Sequence, residues 1–311
     1  MDRIFVITMN PAVDVTYKMN RFLLGGTNRV AEVWRTPGGK GLNVLRVLHS
    51  LSIPASGVGF LAGKAGEWML ERMRELGIDF EGVMVPGETR STITMIGDDC
   101  VTELLEPGPT VSMESAKQLL EHILQYTHSG DYVVLSGSQC KGLPLDFSAE
   151  FAQMAKRRGC LVCVDASGAV LKEVLREPPD IVKVNDSEFR EFIGEKEDAS
   201  LSILLRSAGE LLRMGSRLVV ITQGASGSIA VTENGKWIVQ APKVPVLNAV
   251  GSGDAFFAGL IAGLSTGVAL QDALVQATSC GASNAMFSQA GVVEPDDINR
   301  LAQQVKILPV G

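Results

Sequence analysis

No stretch of this 311-residue chain reaches the roughly 20 consecutive apolar residues that a membrane helix needs, so a spanning protein is not expected. Positive charge is not in excess either. The formal net charge is -7 and is spread through the sequence, which argues against a general nucleic-acid or membrane surface. Residues 1–10 offer no apolar core long enough for a signal peptide, and a cytoplasmic location is the expectation. Histidine is scarce, with His49, His122 and His128 showing no metal-ligand spacing. Five scattered cysteines do not form a disulfide framework, and Cys160-x-x-Cys163 lies in an apolar run that reads as a buried strand without the second pair a zinc site needs. Low-complexity segments, tandem repeats and long linkers are absent, which leaves one large folded unit with at most a small appendage.

What is present is a repeated alternation of short apolar runs with longer amphipathic segments. Ile4–Thr8 precedes Asn43–Leu51, Tyr132–Leu135 precedes Phe147–Arg158, Leu161–Val164 precedes Val170–Arg176, and Leu218–Ile221 follows. That rhythm predicts an α/β fold with strand–helix crossovers and a mostly parallel sheet, whose ligands collect at the carboxyl ends of the strands. Residues 11–36 and 88–106 break the rhythm. The second of these reads as two strands around an acidic turn at Asp98-Asp99, and both are expected in a small sheet standing off a core made of 1–10, 37–87 and 107–311.

Two clusters carry chemistry. Pro37-Gly38-Gly39-Lys40-Gly41-Leu42-Asn43 opens a helix, so that backbone amides and one ammonium can approach an anion at a helix start. It is not a Walker A loop, because Trp34 stands at that motif's first glycine and Gly41 at its Ser/Thr. Taken alone it is a weak signal, with a glycine turn between lid and helix as the other reading. Further on, Asn248-Ala249-Val250-Gly251-Ser252-Gly253-Asp254 precedes a helix whose apolar positions 256, 257, 260, 261 and 264 share one face. Asp254 thereby falls in the first turn, where its carboxylate can take a hydroxyl proton while the Gly251, Ser252 and Gly253 amides meet the charge of a phosphoryl group in transfer. The plainer reading is an acid that complements the helix dipole. A dinucleotide fingerprint fails, since Gly57-x-Gly59 is followed by Ala62 and Gly63 with no convincing strand–turn–helix order or acidic partner.

The pairing of these clusters resembles the two signatures of PfkB-type, ribokinase-like carbohydrate kinases, and is most similar to the branch of 1-phosphofructokinases and tagatose-6-phosphate kinases. The resemblance continues in order through Asn10-Pro11-Ala12-Val13-Asp14, Asn28-Arg29-Val30, Gly87-Glu88-Thr89-Arg90, Ser136-Gly137-Ser138, Asn185-x-x-Glu188 and Thr222-x-Gly224. It implies a three-layer α/β/α fold with a β-sheet lid, and ATP with Mg²⁺ acting on a phosphorylated ketohexose: fructose 1-phosphate first, tagatose 6-phosphate second, with fructose 6-phosphate or a non-catalytic sugar-phosphate sensor behind them. It also implies a homodimer contact through the lid. Asp254 becomes the catalytic base, Asp14, Gly39, Lys40, Asn43 and Ser138 line the sugar side, and Arg29 and Arg90 meet the substrate phosphate. Lys183, Asn185, Glu188, Thr222, Gly224, Gly227 and, on the adenine side, Asn284 serve the nucleotide, with Asn185 and Glu188 reaching the metal through water. The chain departs from the family pattern at Asn248-Ala249, Ser252, Gln139-Cys140 and Val184.

Overall fold

The strands alternate in what they bury, and that period of two fixes the layers. In β8 (Tyr132–Ser136), Val133 and Leu135 enter one apolar cluster while Tyr132 and Val134 enter another on the opposite face. The structure is a computed structural model that describes residues 3–97, 100–195 and 200–310. The expected acidic turn at Asp98 and Asp99 lies outside them.

In chain order the first half runs β1 (Ile4–Thr8), β2 (Ala12–Lys18), β3 (Glu32–Gly38), α1 (Lys40–Ser50), β4 (Ala55–Ala62), α2 (Gly63–Glu75), β5 (Asp79–Val85), β6 (Arg90–Ile96), β7 (Val101–Leu105), α3 (Met113–Tyr126) and β8. The second half runs α4 (Phe147–Arg157), β9 (Leu161–Asp165), α5 (Gly168–Val174), β10 (Ile181–Asn185), α6 (Asp186–Ile193), α7 (Leu201–Arg213), β11 (Leu218–Thr222), β12 (Ser228–Thr232), β13 (Gly235–Gln240), α8 (Ser252–Ser265), α9 (Leu270–Ala285), α10 (Pro295–Ala302) and β14 (Lys306–Pro309). Ten strands form one sheet in the order β14-β13-β12-β11-β10-β9-β8-β1-β4-β5. From β11 to β5 every neighbour is parallel, and β12, β13 and β14 extend the other end antiparallel. Helices α3 to α7 cover one face; α1, α2, α8, α9 and α10 cover the other. This is the expected α/β/α sandwich.

The second sheet has the order β3-β2-β6-β7 and stands over the carboxyl edge of the first. Strand β3 runs two residues past the expected lid boundary at 36, because Pro37 and Gly38 pair with Val13 and Ala12. The glycine turn is thus the direct continuation of a lid strand into α1. Cys160 and Cys163 are buried free thiols packed in the clusters on opposite faces of the sheet, so they share no ligand. Among the described residues no helix is long and apolar enough to cross a membrane.

Candidate active site

Strand periodicity assembles the floor of the site. Ile4 and Val6, Tyr132 and Val134, Cys163, and Ile181 all face the layer of α1 and α8. Continuing each alternation toward the carboxyl edge puts Thr8, Ser136 and Asp165 at their strand ends and Lys183 two residues short of its own, all on that same face. Four neighbouring strands therefore present one polar row beneath two helix N-termini.

Both helices enter without a side-chain cap. Helix α1 starts after Gly39, at φ 87°, and α8 after Gly251, at φ 81°, conformations that favour glycine. No side chain takes their first amides, although Ser252 N donates to Ala249 O at 3.1 Å, and both dipoles point their positive ends at the same space. Asn43 in the first turn of α1 donates from Nδ2 to Asp254 Oδ2 in the first turn of α8 at 2.9 Å. Asp254 is 6% exposed. Burial and then the nearby Asp165 carboxylate push its pKa up to about 7, against the lowering effects of Lys40, the Asn43 hydrogen bond and Lys183. A carboxyl group poised there can accept and release a proton near neutral pH.

The Asp165 carboxylate, which was not singled out from the sequence, holds both lysines of the site. It is fully buried, accepts from Lys183 Nζ at 2.7 Å and from Lys40 Nζ at 3.1 Å, and pairs with both as ions. Burial alone would push its pKa up, but the two ammonium groups overcome that and hold it below the usual carboxylate value. Lys40 is in turn raised by Asp165 first, against desolvation. A Cβ on Gly253 would sit 2.9 Å from Lys183 Nζ, so the absence of a side chain there admits the ammonium directly under the turn.

On the lid side, Asp14 projects from β2 and accepts from Thr92 Oγ1 on β6 and, at 3.3 Å, from the Gly39 amide. Burial raises its pKa, opposed by those two hydrogen bonds. Arg90 spans the joint between lid and core: Nε donates to Asn10 O at 3.1 Å and Nη1 to Glu106 O at 3.2 Å, while Nη2 has no hydrogen bond to the described residues. Ser138 Oγ accepts from Asn10 Nδ2 at 3.3 Å in the same corner. One cavity of about 930 Å³ joins this corner to Asp254 and continues past Asn185, Thr222, Gly224 and Gly227.

Arg29, Glu188 and Asn284 do not line that cavity. Arg29 stands exposed between β2 and β3. Glu188 closes a capping box on α6, its Oε2 accepting from Asn185 N at 3.0 Å while Asn185 Oδ1 accepts from Glu188 N at 2.8 Å. Its Oε1 lies 3.8 Å from Lys40 Nζ. Asn284, expected on the adenine side, has no face on the cavity. That side chain is fully buried behind the Gly251 turn, and its amide is occupied by Val250, Ser252, Gly291 and Val292. Among the described residues no group of three or more His, Cys, Asp or Glu could hold a metal. The donor set that is present, one outward oxygen of Glu188 beside Asn185, fits Mg²⁺, which keeps most of its waters and takes few protein ligands.

The model of the pfkB family carbohydrate kinases matches residues 4–296. A candidate phosphofructokinase from Staphylococcus aureus is 29% identical and has a TM-score of 0.83, with 99% of each chain covered. Phosphofructokinase-2 from Escherichia coli, solved in complex with fructose-6-phosphate, is 22% identical with a TM-score of 0.90, covering 98% of this chain and 99% of that one. A "possible 1-phosphofructokinase" from Thermotoga maritima is 23% identical with a TM-score of 0.86, covering 99% and 100%. The fold is ribokinase-like, with a large mostly parallel sheet and a small separate lid sheet. With the family model spanning nearly its whole length, the chain belongs to the pfkB family of carbohydrate kinases.

Proposed function

We propose that this sugar kinase transfers the γ-phosphoryl group of ATP to a primary hydroxyl of a phosphorylated ketohexose, fructose 1-phosphate first and tagatose 6-phosphate second. The observation that carries the reading is a buried Asp254 beside the uncapped start of α8, in one cavity with the half-engaged guanidinium of Arg90.

In this reading Asp254 Oδ takes the proton of the acceptor hydroxyl, held in orientation by Asn43. The Gly251 and Gly253 amides and the Lys183 ammonium beneath them meet the negative charge of the group in transfer. Asp14 receives sugar hydroxyls, its carboxylate oriented by Thr92 and Gly39. Glu188 and Asn185 would hold Mg²⁺ through water, and the bound ion would neutralise phosphate charge. The lid sheet covers the acceptor side, and its closure would keep water from competing with the sugar.

ADP release from Mg-ATP with fructose 1-phosphate, tagatose 6-phosphate, fructose 6-phosphate, fructose and ribose tests the proposal directly. Turnover on one of the first two supports it and names the acceptor; turnover confined to unphosphorylated sugars, or none, overturns it.

Two further results are expected. Because the base must be ionised to take a proton, kcat/KM should rise with pH through about 7 and level off above it. A flat profile from about pH 5 to about pH 9 would remove Asp254 from that role. Arg90→Ala should raise KM for the phosphosugar by about 10- to 100-fold, the worth of a charged hydrogen bond of about 1.5–3 kcal/mol, and leave KM for the unphosphorylated sugar much less affected. Equal effects on both acceptors would show that Arg90 only braces the lid.

A further inference from the structure

The turn that carries Asp254 is braced from behind by the loop that follows α9. Asn284, in the last turn of α9, uses its whole amide on this contact. Nδ2 donates to Val250 O at 2.9 Å and to Ser252 Oγ at 3.2 Å; Oδ1 accepts from Gly291 N at 2.8 Å and from Val292 N at 3.3 Å. Two donors and two acceptor sites are all that an asparagine side chain offers. Asn248, also buried, repeats the arrangement from the other strand of the contact: Nδ2 donates to Ser288 O at 2.9 Å and Oδ1 accepts from Val250 N at 3.0 Å. Arg46 of α1 adds a bond from Nη1 to Ala290 O at 3.0 Å. The surfaces are in close contact as well, since a Cβ on Gly251 would fall 2.7 Å from Ala290 Cβ.

Nothing in the turn itself sets its orientation so firmly. Helix α8 has no side-chain cap, and within the turn the Ser252 amide makes one backbone bond, to Ala249 O at 3.1 Å. The direction of the Gly251–Gly253 amides therefore depends on what holds Val250 and Ser252, and Asn284 holds both. We infer that Asn284 is a positioning residue for phosphoryl transfer, clamping the Gly251–Gly253 turn to the 286–293 loop and contributing nothing to nucleotide affinity. The inference rests on the reading of that turn as the anion-binding element of the kinase. Its consequence is kinetic: amides aimed at charge that develops in the transition state lower the barrier, whereas the ground-state nucleotide is held along the rest of the cavity. A misplacement near 1 Å of such groups costs on the order of 10²-fold in rate.

The test uses the full chain with Asn284→Ala and Asn284→Asp, the second isosteric but without the donors to Val250 and Ser252. Steady-state kinetics should show kcat lowered by about 10- to 100-fold with KM for ATP unchanged. A raised KM for ATP with unchanged kcat would return Asn284 to the nucleotide, and no change in either would make it ornamental to the reaction; both overturn the inference. Hydrogen exchange followed by mass spectrometry gives a readout that needs no acceptor sugar. Segments 248–256 and 286–293 should both exchange faster in Asn284→Ala than in wild type, and mainly the first in Asn284→Asp; unaltered exchange in 248–256 also overturns it. Should the alanine variant not fold, the aspartate variant carries both measurements. If wild type turns over none of the sugars, the proposed acceptor class is wrong, and the exchange result still decides the clamp.

Discussion

Asp254→Asn should lower kcat by about 10²- to 10⁴-fold while ATP binding persists. The substitution keeps the volume of a side chain that is 6% exposed, and an amide oxygen can still accept from Asn43 Nδ2. The first turn of α8 and the amides that open it are therefore expected to stay in place, and what disappears is the group able to take a proton. The loss should fall on kcat and on kcat/KM alike, as for an interaction made only in the transition state. Calorimetric titration with Mg-ATP beside the ADP-release assay separates the cases. Wild-type turnover in the variant would move the base elsewhere, and lost nucleotide binding would show that Asp254 has a structural share in the site.

Asp165→Asn should do two things at once. Removing one partner from a buried ion pair leaves the other charge uncompensated, which costs about 3–5 kcal/mol, and here one carboxylate serves two ammonium groups. The midpoint of urea denaturation should fall accordingly. The second effect is electrostatic. Asp165 is the largest contributor after burial to the raised pKa of Asp254, so its neutralisation lowers that pKa and moves the rise of kcat/KM to lower pH. The sign is opposite to what loss of a lysine would give. A profile that stays at the wild-type position, in a variant that is folded, would mean that Asp165 and Asp254 are electrostatically independent.

Asp254 and its glycines were legible because the information is contiguous: a glycine-bracketed turn, an acid at the helix start and an apolar stripe behind it. The same holds for Gly39, Lys40 and Asn43, and the α/β alternation was enough to place both clusters at one sheet edge. Asp165 was not legible. Leu161–Asp165 reads as any buried strand ending in an acid, and its partners are 125 and 18 residues away, brought to it only by sheet order and the side-chain period. Thr92 was hidden in the same way, because its contact with Asp14 follows from the parallel pairing of β2 with β6. The contacts of Asn284 were hidden for another reason. Its segment was assigned by family position, yet in a nearly buried α9 an inward-facing asparagine must satisfy its amide within the protein, and the turn beside it offers the partners. Glu188 was legible as a helix-start acid, since one carboxylate oxygen caps α6, whereas the approach of the other to Lys40 needed the fold.

The hydrogen bond between Asn43 and Asp254 joins residues 211 positions apart. Loop closure over such a span is entropically costly, and long-range contacts of this kind form late in folding. On the ribosome, the chain through β8 can already pair β1 with both β4 and β8, and the lid strands are complete, while α8 has yet to be made. Until then the apolar face that α1 lays against α8 stays uncovered, and a chain arrested at that stage lacks the proposed base altogether.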